Sequence, residues 1–444
     1  MKRDMTQGSI TKALVLFTVP LVLSGLLQQI FNWVDAFIVG NIEGEAALAG
    51  IGATTSIYGL FITILTGFTA GLSVLSAQQY GSGEREKLTR SLATFTVLLG
   101  GACLVIAAAG SVFYREVLAL LGTPEDIFEM AGDYLKIIFL GVPFLAVYNT
   151  YSAVLRGMGD SRAPFLSILV SSLANIALDI LFVASLRWGS AGAAAATVIS
   201  QSIMTIFIVV YAVKKHPALR FRPSRRFIQK SALTAGGRFG LPPAIQSGMG
   251  AIGNLILQRF MNGFGGQTVA AITTAYRVDS VVMLPIFNFG SGIATVVAQN
   301  IGAGNRERAE KAFKTGVALM AGISLCLMVV VLLAGGPLIA MFGLTQESVD
   351  IGKSFFRAVS VFYIVCGVAT AVRGYVEGMG DMVFSGLAGI AALVVRIIAS
   401  YAFAGLMGNM VIAYAEAFSW VVLLLLYFIR LRQKRRETSP VLWK

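Results

Sequence analysis

Long apolar segments recur along the whole of this 444-residue chain, and short polar turns separate them. A helix needs about 20 apolar residues to cross the hydrocarbon core of a bilayer. Divided by that length, the sequence predicts an all-α integral membrane protein with twelve transmembrane helices. We place these helices at approximately 13–39, 47–78, 90–113, 126–154, 163–186, 189–213, 236–261, 267–299, 312–335, 349–375, 382–405 and 408–430.

The charged residues are few and asymmetrically placed. Only 13% of the residues are charged, whereas a soluble domain carries about 25%, which excludes an ordinary soluble enzyme and a disordered protein. The formal net charge is +13, but most Lys and Arg residues fall in alternate loops, which marks those loops as cytoplasmic. We therefore expect a multi-pass protein of the plasma membrane, with both termini in the cytoplasm, the lipid bilayer around it and no nucleic-acid partner.

Sequence motifs of catalysis and of nucleotide or metal binding are absent. The three cysteines lie in apolar runs without CxxC spacing, and the one histidine, His216, lies in a basic segment. The chain has no Walker A segment, no HExxH and no GxSxG. The sequence therefore predicts that the protein is not an enzyme, has no cofactor and does not use ATP directly.

An internal repeat divides the chain into two halves. Residues 71–87 (GLSVLSAQQYGSGEREK) align with residues 292–308 (GIATVVAQNIGAGNRER), 221 positions later, and seven of the 17 residues are identical. The Gly-Met-Gly-Asp turns at 157–160 and 378–381 are related by the same offset. Six helices per half let both halves enter the membrane in the same sense, which predicts two six-helix bundles about a pseudo-two-fold axis, a central cleft and alternating access. The predicted parts are a first lobe at 1–213, a basic cytoplasmic linker at 214–235, and a second lobe with a basic cytoplasmic tail at 236–444.

Three residues have predicted structural roles. Asp160 and Asp381 follow the glycine-rich turns and precede helices, so we expect both to act as N-caps. Pro20 lies inside the first predicted helix, where it removes a backbone hydrogen bond and permits a kink. That kink is either a conformational element linked to the cleft or a proline that the membrane tolerates.

Acidic residues inside the predicted helices are costly, at about 2.5–3.5 kcal/mol for a central aspartate, so each requires a partner or a function. In the first helix, Gln28 and Asn32 share a face with Asp35. In the fifth helix, Asn175 and Asp179 are four residues apart and form a second polar stripe.

The helical rise places five oxygen-bearing side chains at one depth in the first lobe: Asp35, Tyr134, Asn175, Asp179 and Thr197. Two carboxylates at one depth repel each other, and a bound proton or small cation relieves that repulsion. The carboxylates, the amide and the threonine hydroxyl are oxygen ligands that suit Na⁺. The alternative is structural pairing with Lys136, the only nearby basic residue in these helices.

The second lobe does not repeat this cluster. Arg396 and Glu416 lie at similar depths in its last two helices, which predicts either a structural salt bridge or a coupling element. Arg277 and Asp279 occur together in the eighth helix, and their role is left open.

Six residues are candidates for substrate contact on the cleft: Gln28, Asn32, Gln246, Asn254, Met283 and Phe287. The amides can fix a polar substrate group, and methionine and phenylalanine offer a polarizable wall to an aromatic cation. The last two residue types are also common core fillers, so that alternative stays open.

In this order the motifs resemble the multidrug and toxic compound extrusion family. The resemblance covers essentially the whole chain. It rests on twelve helices in two halves, on Pro20 followed by Asp35 and Gly40, on the Arg-Gly-Met-Gly-Asp turn at 156–160, and on the Ala-Gln pairs that end the second and eighth helices. The resemblance implies efflux of organic cations and other amphipathic compounds in exchange for Na⁺ or H⁺.

The resemblance also implies a cation site in the first lobe. Prokaryotic members build this site from five residues that match Asp35, Tyr134, Asn175, Asp179 and Thr197. One branch carries an essential glutamate in the seventh helix, whereas this chain has no acid between Arg238 and Arg259. The chain is therefore similar to the branch that relies on the first lobe alone.

The sequence favours a secondary antiporter that works as a monomer and exports amphipathic or cationic organic compounds, with Na⁺ or H⁺ as the coupling ion. The alternative is a flippase for a lipid-linked oligosaccharide, because four arginines offer positive charge to an anionic lipid: Arg259, Arg277, Arg373 and Arg396. A membrane enzyme or receptor is a third hypothesis, supported only by polar residues within helices. One oxygen cluster serves Na⁺ or H⁺, so the choice between these ions stays open.

Overall fold

The computed structural model describes residues 4–220 and 228–438, which form helices joined by short turns. Residues 1–3 are outside the described residues. So are residues 221–227 of the predicted linker and residues 439–444 of the predicted tail.

The chain divides into two compact units. Unit 1 contains Val19–Ala244, and unit 2 contains Asp4–Thr18 together with the chain from Ile245 onward. Both boundaries inside helices fall beside prolines, Pro20 in the first long helix and the Pro242-Pro243 pair in its repeat counterpart. The units therefore do not coincide with the two sequence halves, because the first part of each of these helices packs with the unit formed by the other half.

The first half of the chain contains eight α-helices among its described residues. They are α1 (Ile10–Ile42), α2 (Glu45–Gly81), α3 (Arg85–Val112), α4 (Tyr114–Leu120), α5 (Glu125–Ile138), α6 (Val142–Gly157), α7 (Arg162–Asp179) and α8 (Gly189–Lys215).

The second half contains another eight. They are α9 (Lys230–Asn262), α10 (Gly266–Val282), α11 (Leu284–Gly302), α12 (Arg306–Ala340), α13 (Gln346–Ser360), α14 (Tyr363–Gly378), α15 (Met382–Met407) and α16 (Val411–Thr438).

Eight stretches of the described residues are long and apolar enough to cross a membrane, and the number is ten when each of two bent helix pairs is one span. These pairs are α10 with α11, bent by 40°, and α13 with α14, bent by 49°. The sequence predicts twelve spans because it treats α15 and α16, which fall in one apolar stretch, as two. It also counts α9, which is long enough but less apolar because of its glycines, prolines and amides. The predicted fold class, an all-helical membrane protein, is confirmed.

The sequence repeat is visible in the backbone. Four pairs of glycines 221 positions apart have positive φ angles in both halves: Gly44 and Gly265, Gly83 and Gly304, Gly122 and Gly343, and Gly159 and Gly380. A fifth pair joins Arg187, at φ 53°, to Gly408, at φ 57°. Arg187 is the only non-glycine residue with positive φ in the described parts of the chain, and its counterpart is a glycine, the residue type that has positive φ without strain.

Asp160 and Asp381 have different roles in the structure. Asp160 Oδ1 accepts from the backbone N–H groups of Arg162 at 3.2 Å and Ala163 at 3.3 Å, as predicted for a cap at the start of α7. Asp381 occupies the predicted N-cap position of α15, but its side chain makes no capping hydrogen bond to that helix. Its Oδ2 accepts instead from Arg430 at 2.8 Å, because the end of α16 brings a cation to this carboxylate.

Both aspartates also hold the last helix of their half. Asp160 Oδ2 accepts from the Tyr211 hydroxyl at 3.0 Å and lies 3.9 Å from Lys215 Nζ, both on α8. Asp381 Oδ2 lies 3.0 Å from Lys434 Nζ on α16. We call these two sets of contacts the aspartate latches.

Candidate cation site

A pair of carboxyl groups lies in unit 1, one on α1 and one on α7. The side chains of Asp35 and Asp179 are within hydrogen-bonding reach of each other. Asp179 is fully buried and Asp35 is partly buried. With its amide oriented to suit its neighbours, Asn175 donates from Nδ2 to Asp179 Oδ2 at 2.7 Å and accepts at Oδ1 from the Thr197 N–H at 3.2 Å. The structure thus brings together four of the five predicted residues through direct polar contacts. These four are Asp35, Asn175, Asp179 and Thr197.

Tyr134 joins this group through the apolar contacts that surround it. Val39, Val183 and Ala193 form a buried cluster, and Tyr134 packs against it. Each cluster residue is four positions from a site residue on its helix, so one helical turn separates the cluster from the polar layer.

The Thr197 hydroxyl has a local role in this structure. It donates to the carbonyl of Ala193 at 3.0 Å, one turn earlier on α8. Its oxygen lone pairs stay available for a cation, since a hydroxyl both donates and accepts.

The helix changes its winding directly after Asp179. Residues Ile180–Ser185 form a π-helical segment that continues α7. Such wide turns are uncommon and occur frequently at functional sites, because they displace backbone groups from the regular α-helical ladder. No sequence pattern indicated this segment.

No basic residue compensates the two carboxylates within the described parts of the chain. Lys136, the only candidate for the alternative of structural pairing, is exposed and forms no ion pair with either aspartate there. Oδ1 of Asp35 and Oδ1 of Asp179 are buried without a hydrogen-bond donor among the described residues. The described residues also contain no cluster of three His, Cys, Asp or Glu side chains that could hold a metal ion, so neutral oxygens would complete any cation shell.

The electrostatics of the pair determine its chemistry. Two adjacent carboxylates in a largely apolar environment cannot both stay ionised without a compensating positive charge. A proton shared between them would satisfy one buried oxygen, and a small cation would satisfy both. Asn175 and Thr197 add neutral oxygens of the kind that Na⁺ accepts.

The acidic and basic residues of unit 2 pair with each other instead. Arg396 Nη2 donates to Glu416 Oε2 at 3.0 Å and to the Tyr276 hydroxyl at 2.8 Å. Asp279 accepts a hydrogen bond from the Tyr363 hydroxyl, and both residues are buried. Arg277, next to Asp279 in the sequence, is exposed.

The structure separates the six substrate-contact candidates. Gln28, Asn32, Asn254 and Phe287 have exposed side chains, whereas Met283 is a core residue with 2% exposure. Gln246 is partly buried, and its Oε1 accepts from Arg373 at 3.4 Å.

On α1, Ser24 donates to the Pro20 carbonyl at 2.8 Å, a contact that often accompanies a bend.

A polar network in unit 2 was missed by the sequence reasoning. Arg373 Nε donates to Glu377 Oε1 at 2.6 Å, and that oxygen also accepts from the Ser385 hydroxyl at 2.7 Å. The Tyr427 hydroxyl lies 3.1 Å from the same serine. The spacing of Arg373 and Glu377, four residues apart on one helix, was the available signal.

Comparison with known families agrees with the repeat. The model of the MatE family matches this chain twice, at residues 20–181 and at residues 242–402. The chain belongs to the MatE family. The resemblance predicted from the sequence motifs is therefore confirmed at the level of the family, and the protein is a transporter and not an enzyme.

Two relatives from Bacillus subtilis strain 168 cover most of this MatE chain. The probable multidrug resistance protein YpnP is 30% identical over 380 residues, which are 85% of each chain. The probable multidrug resistance protein YoeA is 28% identical over 453 residues. This alignment covers 98% of this chain and 97% of YoeA.

The fold is also similar to solved MATE structures. A multidrug resistance MATE family transporter of the MOP superfamily, in its outward-facing conformation, aligns with a TM-score of 0.88. The alignment covers 98% of both chains at 21% sequence identity. At this identity the likeness establishes the fold and leaves the site to be argued from its own residues.

Proposed function

We propose that this protein is a secondary antiporter that exports amphipathic or cationic organic compounds in exchange for Na⁺ or H⁺. The names of its relatives, multidrug resistance and multidrug export proteins, support a broad range of organic substrates. The +13 net charge and its placement in alternate loops support cytoplasmic termini in the plasma membrane.

The observation that carries the proposal is the carboxyl pair, Asp35 with Asp179, which has no basic partner among the described residues. A proton or Na⁺ is the positive charge that such a pair requires. Entry of one cation supplies about 1.4 kcal/mol per tenfold concentration ratio and about 2.3 kcal/mol per 100 mV. Occupancy of the pair changes the local charge, and alternating access couples that change to export.

The flippase alternative has less support. Two of its four arginines, Arg373 and Arg396, are paired with Glu377 and Glu416. A paired guanidinium offers little net positive charge to a polyanionic lipid, so we favour export of organic cations and amphipathic compounds.

The test is uptake of a fluorescent organic cation into inverted membrane vesicles, energised by a sodium gradient or by a pH gradient in separate experiments. We expect one gradient to drive uptake by the wild type. Asp35→Asn and Asp179→Asn should each reduce uptake to the level of empty vesicles, because one neutral partner removes the need for a cation.

Asp133→Asn is the matched control, since Asp133 is an exposed aspartate next to Tyr134 on α5. This control should transport like the wild type. Full coupled uptake by folded Asp35→Asn and Asp179→Asn proteins would refute the assignment of the carboxyl pair as the coupling site.

A further inference from the structure

Unit 2 contains a cavity whose wall includes Arg396 and Ser400, the counterparts of Asn175 and Asp179 in unit 1. The cavity has a volume of about 290 Å³ and is lined by α9, α10, α15 and α16. At the 221 offset, α9, α15 and α16 correspond to α1, α7 and α8, the helices that carry Asp35, Asp179 and Thr197. The two repeats thus place polar residues on the same set of helices.

The charge of the second location is different. Arg396 and Ser400 line the cavity where unit 1 has Asn175 and Asp179. Glu416 lies beside the arginine, so the cavity wall carries one positive and one negative group at 3.0 Å. The Arg396 guanidinium would repel a lone cation, and the Glu416 carboxylate would repel a polyanion. Neither kind of ligand therefore matches the charges of this wall.

The guanidinium keeps donors that its present partners do not use. Within the described residues, both hydrogen bonds of Arg396 leave from Nη2. An arginine side chain has five N–H donors, so those on Nε and Nη1 stay available to a carboxylate. The side chain is 17% exposed and Glu416 is 11% exposed, which makes them accessible from the cavity but largely desolvated.

The rest of the wall suits the body of an amphipathic molecule. Asn254 and Gln258 supply amides, and Leu257, Phe260 and Met261 supply apolar surface. A volume of about 290 Å³ is at the lower end for a ligand pocket. It accommodates the charged end of a drug-sized compound and not the whole compound.

We infer that this cavity binds the polar end of zwitterionic amphipathic substrates, with Arg396 holding a carboxylate and Glu416 an ammonium group. The inference rests on the proposed export function and extends it to a substrate class. It adds a subsite in unit 2 to the cation site in unit 1.

The experiment uses equilibrium binding of two dyes to the purified full-length protein, followed by fluorescence polarisation without any gradient. Rhodamine 110 carries a free carboxylate, and rhodamine 123 is its methyl ester. In Arg396→Gln/Glu416→Gln, binding of rhodamine 110 should weaken about 10-fold more than binding of rhodamine 123. Both dyes lose the contact between their cationic group and Glu416, but only rhodamine 110 also loses the charged hydrogen bond between its carboxylate and Arg396.

The matched control is Arg373→Gln/Glu377→Gln, which removes an ion pair of unit 2 that does not line the cavity. Neither dye should lose affinity in this control. Asn254→Phe fills the cavity from α9 without replacing either residue of the pair, and it should weaken rhodamine 110 even if the pair variants fold poorly.

Equal weakening of both dyes, or unchanged binding of rhodamine 110 in the cavity variants, would overturn the inference. Export assays in vesicles keep this result separate from the proposed function. If the wild type exports but the variants weaken both dyes equally, only the subsite is refuted. If the variants distinguish the two dyes but the wild type does not export, only the antiport proposal is refuted.

Discussion

Corresponding helices of the two halves carry different arrangements of charge. In unit 1, Asp35 and Asp179 repel each other and lack a basic partner among the described residues. In unit 2, Arg396 and Glu416 neutralise each other at 3.0 Å. The repeated helices show that a duplicated scaffold can keep its backbone while one copy carries two adjacent carboxyl groups and the other a neutralised ion pair.

The largest expected effect comes from giving unit 1 the residue of unit 2. Asp179→Ser introduces the side chain found at the counterpart position, Ser400. We expect coupled export to fall about 100-fold or more. A loss of this size corresponds to at least about 3 kcal/mol of coupling free energy. Ser400→Ala in unit 2 should leave export within about twofold of the wild type. Comparable losses in both variants would contradict the division of roles.

Single neutralisations should have opposite effects on stability in the two units. Arg396→Gln leaves Glu416 buried without its partner, which should cost about 3 kcal/mol. The double variant Arg396→Gln/Glu416→Gln should recover most of that loss. Asp179→Asn should not destabilise the protein in cation-free buffer, because it removes a repulsion. Thermal unfolding in detergent measures all three, and a loss of stability in Asp179→Asn would indicate a hidden partner.

Two counterpart glycines test the packing of α1 and α9. A Cβ on Gly71 would collide with the backbone carbonyl of Phe239, whereas a Cβ on Gly292 would meet only the Thr18 hydroxyl. Backbone cannot move aside as a side chain can, so Gly71→Ala should cost about 2 kcal/mol and Gly292→Ala clearly less. Unfolding temperatures of the two variants rank these costs. A larger loss of stability in Gly292→Ala than in Gly71→Ala would show that the packing around these two glycines is assigned wrongly.

The aspartate latches predict a pH-dependent contribution to stability. Burial acts to raise the pKa of the Asp381 carboxyl, but hydrogen bonds from Arg430 and Lys434 and their charges hold it below its ordinary value of 3.8. For Asp160, burial also acts to raise the pKa, but hydrogen bonds from His216 and Tyr211 hold it below that value.

A lowered native pKa means that the latch stabilises the fold fully above pH 3.8 and that this stabilisation is lost as the pH falls through the lower native value. Asp381→Asn should therefore cost about 1 kcal/mol at pH 7. The difference from the wild type should shrink below pH 3.8, as measured by unfolding temperature across pH. A constant difference at every pH would exclude the charge of Asp381 as the cause.

The smallest expected effect concerns the turn that differs between the halves. Arg187 has a positive φ angle, which is strained for a residue with a side chain but not for a glycine such as its counterpart Gly408. Arg187→Gly should therefore stabilise the protein by about 0.5 kcal/mol after the entropy cost of the glycine. Gly408→Arg should destabilise it by more, because φ 57° with ψ −143° is a backbone region that essentially only glycine adopts. Chemical unfolding curves resolve the sign, and destabilisation by Arg187→Gly would show that the arginine side chain makes a compensating contact.

The polar cluster of unit 1 could be predicted because helical periodicity and depth are local properties. Steps of four residues in α7 fix that Asn175 and Asp179 share a face, and the rise per residue fixes their level. The same reasoning placed Arg396 near Glu416. The same reasoning could not place Met283, because an apolar side chain suits either a cleft or a core. It assigned Asp381 as a cap, whereas basic residues at the end of α16, distant in the sequence, bind its carboxylate.

The sequence alone determined the apolar helices, the duplication and the residue types that face one another, because these follow from composition and from spacing along one chain. Only the tertiary structure decided which unit the first parts of α1 and α9 join, which side chains the aspartate latches hold, and where a cavity lies beside Arg396. Those features depend on contacts between residues far apart in the sequence, whose energies no local pattern records.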